Sequence, residues 1–539
     1  MTTADTTDIE YAPVAGHGQA GAPRIQVGTG PETIRTLRTE LADGLLPGTY
    51  VSAGDLVHME AVSGSATTTA ADEDSPLPIA ASPVTPACLA GLLAQHTYLF
   101  RLRTRKTEGA VELYEEEVTP PREVLSAVLA TKTWPGIPAL HGIIGAPVLR
   151  RDGTLLQQSG YDPATGLYLA SKVDLPPVPD TPTNQQVDAA RDFLLGTFLR
   201  DFPWASAADR ANYLALLATP ILRHYTRSLT PFALIDATMP ASGKSILTGG
   251  PGMLYGQRVM IWPYAEDELR KQITSVLADQ VGVVIWDNLA EGTVIDSATL
   301  AGLVTAGVWS DRLLGASRSL SAVNDRLWMA TGNNLQVGGD MASRTIRVHL
   351  DPDMPRPELR DQTAFGIPHL DQWITMPRNQ MTVLWHLLIL ILDWTNSGAA
   401  RNPNHSMRQF TPWAQAMGGF LGWHSIGGFL TNAEDVRGID EDETRWRSFL
   451  ACWHDRHGSK PMTAADLRRD GEPDYAAGQQ FDAWDGQFIT THTGRLPNPL
   501  SLGRLLAGQT GRWRGNYVIR SGTHERGNRA VFWIEHGSQ

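Results

Sequence analysis

A multidomain α/β protein with a parallel sheet at its centre is the fold class the sequence predicts, and three observations predict it. The chain has 539 residues, more than a single hydrophobic core serves. Three continuous apolar runs, "PFALIDA", "VGVVIWD" and "RLWMATG", end in small or polar residues, the pattern of strands covered on both faces. Helix-compatible stretches separate them, as parallel strands require. Apolar residues make up 42% and charged residues 19%, the balance of a folded globular chain rather than a disordered or fibrous one.

Residues 1 to 30 are rich in Thr, Ala, Gly and Pro without periodicity and read as a flexible tail. Residues 31 to 118 open with the helical "PETIRTLRTEL", then break into short segments around "SGSATTTAADEDSPLP", which gives an N-terminal α+β accessory domain with a low-complexity surface loop. A small β-rich subdomain follows at 119 to 185, with turns at Asp-Gly and Pro-Ala-Thr-Gly; Asp152 and Asp162 sit in those turns and are expected to shape them. The block from 186 to 375 begins with helices and then holds the three apolar strands. Residues 376 to 444 are mostly helical, and their "VLWHLLILIL" is shorter than the roughly 18 residues a bilayer span needs, so it reads as a buried helix. In the last domain, 445 to 539, "NPLSLGRLLAGQ" reads as a helix burying Leu500, Leu502, Leu505 and Leu506 ahead of two strands around a Gly-rich turn.

A formal charge of −12 excludes a generally cationic surface, so any nucleic-acid contact must rest on local patches. The C-terminal end is one: Arg504, Arg512, Arg514, Arg520, Arg526 and Arg529 stand there against Glu525 and Glu535. Cys88 and Cys452 are the only cysteines, which excludes a disulfide framework and a cysteine-based zinc site. No apolar run opens the chain. The expectation is a cytoplasmic protein with no membrane part.

After the first strand comes "TMPASGKSIL". A strand, a turn and a helix in that order aim backbone N–H groups and a helix N-terminus at phosphates. Ser242 and Gly243 shape the cradle, Lys244 reaches the outer phosphates, and Ser245 can hold Mg²⁺. Thr238 stands where the phosphate-loop signature has its first glycine. Asp287 ends the second strand, where a carboxylate bridges to Mg²⁺, and Asn288 follows it in the place of a base. Glu291 and Glu268 are the candidate bases, although Glu268 also reads as a helix-face partner of Lys271. The third strand delivers Asn333 and Asn334, one able to contact the γ-phosphate or the attacking water and the other a turn residue. Beyond them come Arg344, which could reach across a subunit boundary into a neighbour's site, and Arg347, which reads as a solvated strand arginine.

The order "ASGKS", "EDELRKQI", "IWDN", "DRLLGAS", "ATGNN", "GDMASR" resembles the core of the superfamily 3 and poxvirus-type primase-helicase group of AAA+ ATPases carried by phages, prophages and plasmids. The resemblance is specific over about residues 231 to 351. It extends more thinly to "FTPWAQAMGGFLGWHSIGGFLTN", which is similar to the helical lid that follows such cores. It implies a P-loop ATPase core with a helical lid, ATP and Mg²⁺ as cofactors, and a homo-oligomeric ring, expected to be a hexamer, while the C-terminal order of a helix and two strands independently suggests a winged helix. Lys244, Ser245, Asp287 and Asn334 carry over as nucleotide residues, and Arg344 as the trans-acting arginine. Ser343 departs from the family, which often has an arginine there. The hairpin such rings insert in their channel falls in "WSDRLLGASRSLSAVNDR", with Arg312 and Arg318 available for DNA phosphates, although Arg312 could equally brace the subunit interface and Arg318 equally be a solvated loop arginine. Arg512 and Arg514 of the winged helix are expected on single- or double-stranded DNA.

The implied activity is ATP-dependent DNA unwinding in the replication of a mobile element, with a primase or other replication proteins as partners. Two alternatives stay open. One is an initiator or loader that uses ATP only to assemble; the other, prompted by Thr238 and Asn288, is an ATPase-deficient scaffold.

Overall fold

The computed structural model describes residues 21–61, 79–107, 110–171, 175–278, 281–312, 319–352, 354, 356–433, 441–473, 482–491, 495–511, 513–514, 516–523 and 529–537. The N-terminal unit pairs two small sheets with three helices. Arg24–Gln26, within the expected tail, forms a strand parallel to Tyr98–Thr107, which also pairs with Ala110–Glu117. Ile25 and Val27 enter the core with Leu37, Leu89, Leu93 and Val128, so burial of two aliphatic side chains overrides the local composition. In the next segment Asp152 accepts from the Thr154 N–H at 2.9 Å, and Asp162 pairs with Arg150 at 3.1 Å and accepts from Thr165 Oγ1 at 2.6 Å. Both acids hold turns, as expected.

The centre is a five-stranded parallel sheet of β1 (Phe232–Ala237), β2 (Gln257–Met260), β3 (Val283–Leu289), β4 (Leu327–Asn333) and β5 (Thr345–Leu350). Its order is β5-β1-β4-β3-β2, which brings the carboxyl ends of β1, β3 and β4 side by side. Every residue of β1 is buried, as the unbroken apolar run requires. One face packs on a helical layer formed by α1 (Ala207–Thr226) and, after the sheet, α5 (Pro377–Asn396). Residues 383 and 384 and 387 to 392 of α5 are buried, so the apolar run is a core helix, and no described helix is long and apolar enough to cross a membrane.

Helix α2 (Lys244–Tyr255) leaves the first loop and carries Pro251 in its interior. Proline has no N–H for the carbonyl of Leu247, and the Tyr213 hydroxyl of α1 donates to that oxygen instead, at 2.8 Å. Gly250 permits the approach, since a Cβ there would lie 2.7 Å from the same hydroxyl. Returning the contact, Tyr255 of α2 donates to Leu217 O at 2.7 Å.

Between β3 and β4, α4 (Ala298–Thr305) is followed by an antiparallel hairpin, Val308–Arg312 with Ser319–Val323. Its inner face is tied to α3 (Glu266–Ala278): Arg270 pairs with Asp311 at 3.2 Å, and Trp309 Nε1 donates to Thr274 Oγ1 at 3.1 Å. The period-2 alternation turns Val308, Ser310 and Arg312 outward.

The last unit runs Glu441–His457, the short strand Met462–Thr463, then helices Ala464–Asp470 and Pro499–Gln509, then strands to Ala530–His536 in a four-stranded sheet. Leu502 and Leu506, one turn apart, are fully buried, while Leu500 and Leu505 are 67% and 42% exposed. The expected burial of all four leucines is thus corrected. Four leucines at 500, 502, 505 and 506 spread around a helix whose inner stripe holds only two of them.

Candidate active site

The carboxyl ends of β1, β3 and β4 open on a cavity of ≈ 660 Å³. Sheets of this kind form their sites there because loops converge where strand order reverses. Ser242, Gly243, Lys244, Ser245, Asp287 and Asn333 all line it, although they come from three strands. The loop reaches α2 through Gly243, whose φ of 98° is left-handed and so favours glycine. Its helix N-terminus follows at once, with backbone N–H groups for an anion.

Thr238 explains the missing glycine. Its N–H donates to Leu350 O at 3.1 Å and its Oγ1 to Asp351 at 2.8 Å, so the loop's start is sewn to the end of β5. Ser242 Oγ closes the turn on Met239 O at 2.5 Å.

Lys244 is buried, and its Nζ donates to Asn333 Oδ1 at 2.5 Å. Burial lowers its pKa below the ordinary lysine value, against the pull of Asp236 and Asp287, which raise it. Asp287 stands at a bulge in the β3–β4 ladder. There Thr331 of β4 donates to Asp287 Oδ1 at 2.6 Å while its oxygen accepts the Asn288 N–H at 2.8 Å. Asn288 itself takes a left-handed φ of 54° and is exposed. Ser245 and Asp287 offer a hydroxyl and a carboxylate to the same cavity, oxygen donors that suit Mg²⁺.

The two asparagines are separated by the strand's end. Asn333 faces Lys244, whereas Asn334 is exposed, holds φ 49° and donates to Glu291 at 2.7 Å. Asn333 therefore lines the cavity, whereas Asn334, the asparagine the resemblance carries over as a nucleotide residue, is not among the lining residues and makes the turn. Glu268 forms the exposed pair with Lys271 at 3.3 Å.

Arg347 is not solvated, which corrects the sequence reading. It donates to the fully buried Asp236 at 2.6 Å, and His349 lies 3.1 Å from the same oxygen. A carboxylate inside the sheet needs partners, and β5 supplies them. Asp236 Oδ1 accepts the Leu335 N–H at 3.1 Å, which anchors the turn carrying Asn333 and Asn334. Burial pushes the Asp236 carboxyl up, but the bonds from His349 and Arg347 prevail, and it lies below the usual value. Arg344 lies outside its own chain's cavity, with Nη1 on Ala301 O at 2.7 Å and Nη2 on Asp340 at 3.1 Å. Arg312 is exposed near the hairpin end, and Arg514 donates to Gln509 at 3.0 Å. Arg318 and Arg512 lie outside the described residues.

Sequence reasoning missed Thr331, Asp236, and two segments that complete the cavity, around 197–202 and 357–371. Thr331 carried a faint signal, a hydroxyl two residues before the asparagines inside an apolar strand. The two segments carried none, for their contacts join residues more than 150 positions apart.

No protein-family profile matches the chain, and no curated protein matches it. Solved structures that align with it include the A-form apo structure of the NrS-1 C-terminal region, at 10% identity and TM-score 0.37 over 84% of this chain and 99% of that one. JCV helicase aligns at 14% identity and TM-score 0.20, over 45% of this chain and 66% of that one. Superpositions this loose establish no activity.

Proposed function

We propose that the chain is an ATP-dependent DNA helicase of the AAA+ class, acting as a ring, and that it serves replication of a phage or other mobile element. One observation carries the reading: Lys244, Asn333, Asp287 and Thr331 are brought by hydrogen bonds to one cavity at the carboxyl edge of a β5-β1-β4-β3-β2 sheet. That arrangement supports phosphate binding by the loop and Lys244, with Mg²⁺ arriving on ATP and held by Ser245 and Asp287. Asn333 takes the sensor role, and Asn334 with Glu291 forms the adjoining turn. Asn288 has no oxygen basic enough to take a proton, so the reading assigns the orienting of water to Glu291, the carboxylate that accepts from Asn334 at 2.7 Å.

To reach a neighbouring copy Arg344, whose side chain is 17% exposed, must leave both the exposed Asp340 and the Ala301 carbonyl. Arg312, with Arg318, meets the phosphates of a strand in the channel, presented by a hairpin braced on α3. The final unit's order of helix, strand, two helices and hairpin supports the winged-helix reading, with Arg512 and Arg514 on duplex DNA. The lid in this reading is the helical stretch 376 to 444, whose α5 and α6 (Thr411–Trp423) share one core with α1 and the sheet.

A second reading has its own observation. Leu500 and Leu505 are exposed beside Arg504, an apolar surface suited to a protein such as a primase, and this favours an initiator or loader. ATP hydrolysis measured with and without single-stranded DNA, together with unwinding of a forked duplex, separates the two. The helicase reading expects DNA-stimulated turnover and fork opening, both lost in Lys244→Ala and Arg344→Ala. Assembly on ATP without strand separation refutes it and leaves the loader.

A further inference from the structure

A second cavity, of ≈ 180 Å³, lies between β5 and the two segments that flank α6, and it shares no lining residue with the nucleotide cavity. Helix α1 supplies Asn212, β5 supplies Arg347, and Arg408 and Leu430 close it from the two flanking segments. We infer that this cavity is a binding site for a small tetrahedral oxyanion of the phosphate class. The inference stands independently of the nucleotide reading above.

Charge sets the class of ligand. None of the described residues that line the cavity is an aspartate or a glutamate, although the chain holds 57 acidic residues against 45 Lys and Arg. Arg347, Arg408 and the Ser406 hydroxyl supply donors instead, and charged donors make the stronger bonds to an oxyanion. Ser343 and Thr345 also line it, but their hydroxyls donate to Asp340 O at 3.1 Å and Met341 O at 2.8 Å, so they shape the wall. Arg347 has donors to spare. Its Nη2 is taken by Asp236 at 2.6 Å, while its Nε is buried and has no partner among the described residues. A guanidinium donor left unmet is costly, and an anion in the cavity that Arg347 lines relieves the cost.

The walls are fixed by bonds that hold strained backbone. Arg408 and Leu430, neither of them a glycine, take left-handed φ angles of 42° and 59°. Thr411 Oγ1 accepts the Met407 N–H at 3.0 Å and donates to Arg408 O at 2.7 Å, and the Leu430 N–H donates to Asn212 Oδ1 at 3.0 Å. The fully buried Asn212 also donates to Arg347 O and to Asn432 Oδ1, both at 2.9 Å, so one amide joins α1, β5 and the segment after α6. Strain of this kind persists where surrounding bonds over-determine it, and it gathers at ligand clamps.

Size and access narrow the ligand. The volume falls below the roughly 300–1,000 Å³ of pockets for drug-sized molecules, which leaves out a nucleotide and admits a single phosphate. Asn212, Thr345, Ile346 and Asn432 are buried, whereas Ser406, Arg408 and Ala433 are exposed, so entry is past the segments flanking α6.

The test is a phosphorus NMR titration of inorganic phosphate at constant ionic strength. The full chain carries Lys244→Ala throughout, to weaken phosphate binding at the loop, and is compared with the same chain bearing Arg408→Glu, Arg408→Lys or Ser343→Leu. Arg408 is exposed, so its substitutions leave the core alone, and the urea midpoint checks each variant. Loss of one charge-assisted contact weakens binding roughly tenfold or more. The expected result is one saturable phosphate per chain, weakened about tenfold by Arg408→Glu and by Ser343→Leu and kept by Arg408→Lys, with neither acetate nor an oligothymidylate displacing it at equal concentration. No saturable phosphate in the Lys244→Ala chain overturns the site, as does equal affinity in Arg408→Glu and Ser343→Leu. Displacement by acetate overturns the tetrahedral class. Displacement by the oligothymidylate assigns the donors to a nucleic-acid backbone and overturns the free anion.

Discussion

Replacing Arg347 by methionine removes the strongest partner of a charge sealed inside the sheet. Asp236 is 0% exposed, and it is held by Arg347 at 2.6 Å, His349 at 3.1 Å and the Leu335 N–H at 3.1 Å. Breaking a buried ion pair from one side costs about 3–5 kcal/mol, because the remaining charge keeps its desolvation penalty. The two surviving bonds place Arg347→Met near the lower end, about 3 kcal/mol. Asp236→Leu combined with Arg347→Met removes both charges and is expected to recover about 2 kcal/mol relative to the sum of the single changes. Urea unfolding followed by tryptophan emission reads this, since Trp286 and Trp328 stack at 5.6 Å inside the same sheet. The pH dependence adds a sign. The folded Asp236 carboxyl lies below its unfolded value, so its stabilising contribution is present above about pH 4 and lost as pH falls through the folded value. The gap between wild type and Arg347→Met should therefore narrow in acid. A loss under about 1 kcal/mol for Arg347→Met, or single changes that simply add, refutes the buried-pair account.

Three further outcomes are expected. Thr331→Val removes the hydroxyl that joins Asp287 to the Asn288 N–H, so hydrolysis should fall about tenfold while nucleotide affinity changes little, as steady-state and binding assays will show. Gly250→Ala pushes a methyl to 2.7 Å from the Tyr213 hydroxyl and should cost about 1–3 kcal/mol in thermal unfolding, with Gly250→Ala in a Tyr213→Phe background costing less than the sum. His224 is lowered to about 4, first by burial and then by Arg223. The unfolded chain binds that proton first, so stability is lost as pH drops from about 6.5 towards 4, by up to about 3 kcal/mol, and His224→Gln should flatten that part of the curve.

The sheet was legible because each of its long strands is an unbroken apolar run, and the loop because Gly-Lys-Ser follows one of them directly. Lys244, Ser245 and Asp287 meet in the cavity where strand ends and spacing placed them. What the sequence hid has a common cause. Asn333 and Asn334 differ only in which side of a strand's end they leave, a register that two identical residues cannot announce. Arg347 alternates outward on a strand pattern, yet its neighbour β1 carries a buried acid, and only the pairing of the two strands turns a solvent residue into an interior one. Arg24–Gln26 is too short for periodicity to detect and is a strand only because Tyr98–Phe100 offers it an edge.

The exchange of hydroxyls between α1 and α2 has a mechanical meaning. Tyr213 reaches into α2 at Leu247 and Tyr255 reaches back into α1 at Leu217, so the two helices are stitched at both ends of their contact. A helix with a proline inside would ordinarily bend at that point, but here the freed carbonyl is the attachment itself. The phosphate-loop helix and the layer beneath it must then travel as one stiff body. Displacement at the cavity is left to the loops on either side of that body, above all the segment at 357–371, which is held to the segment at 197–202 by three bonds near solvent, from Arg360 to Asp201 O, from Arg200 to Ala364 O and from the Gly366 N–H to Asp201 Oδ2.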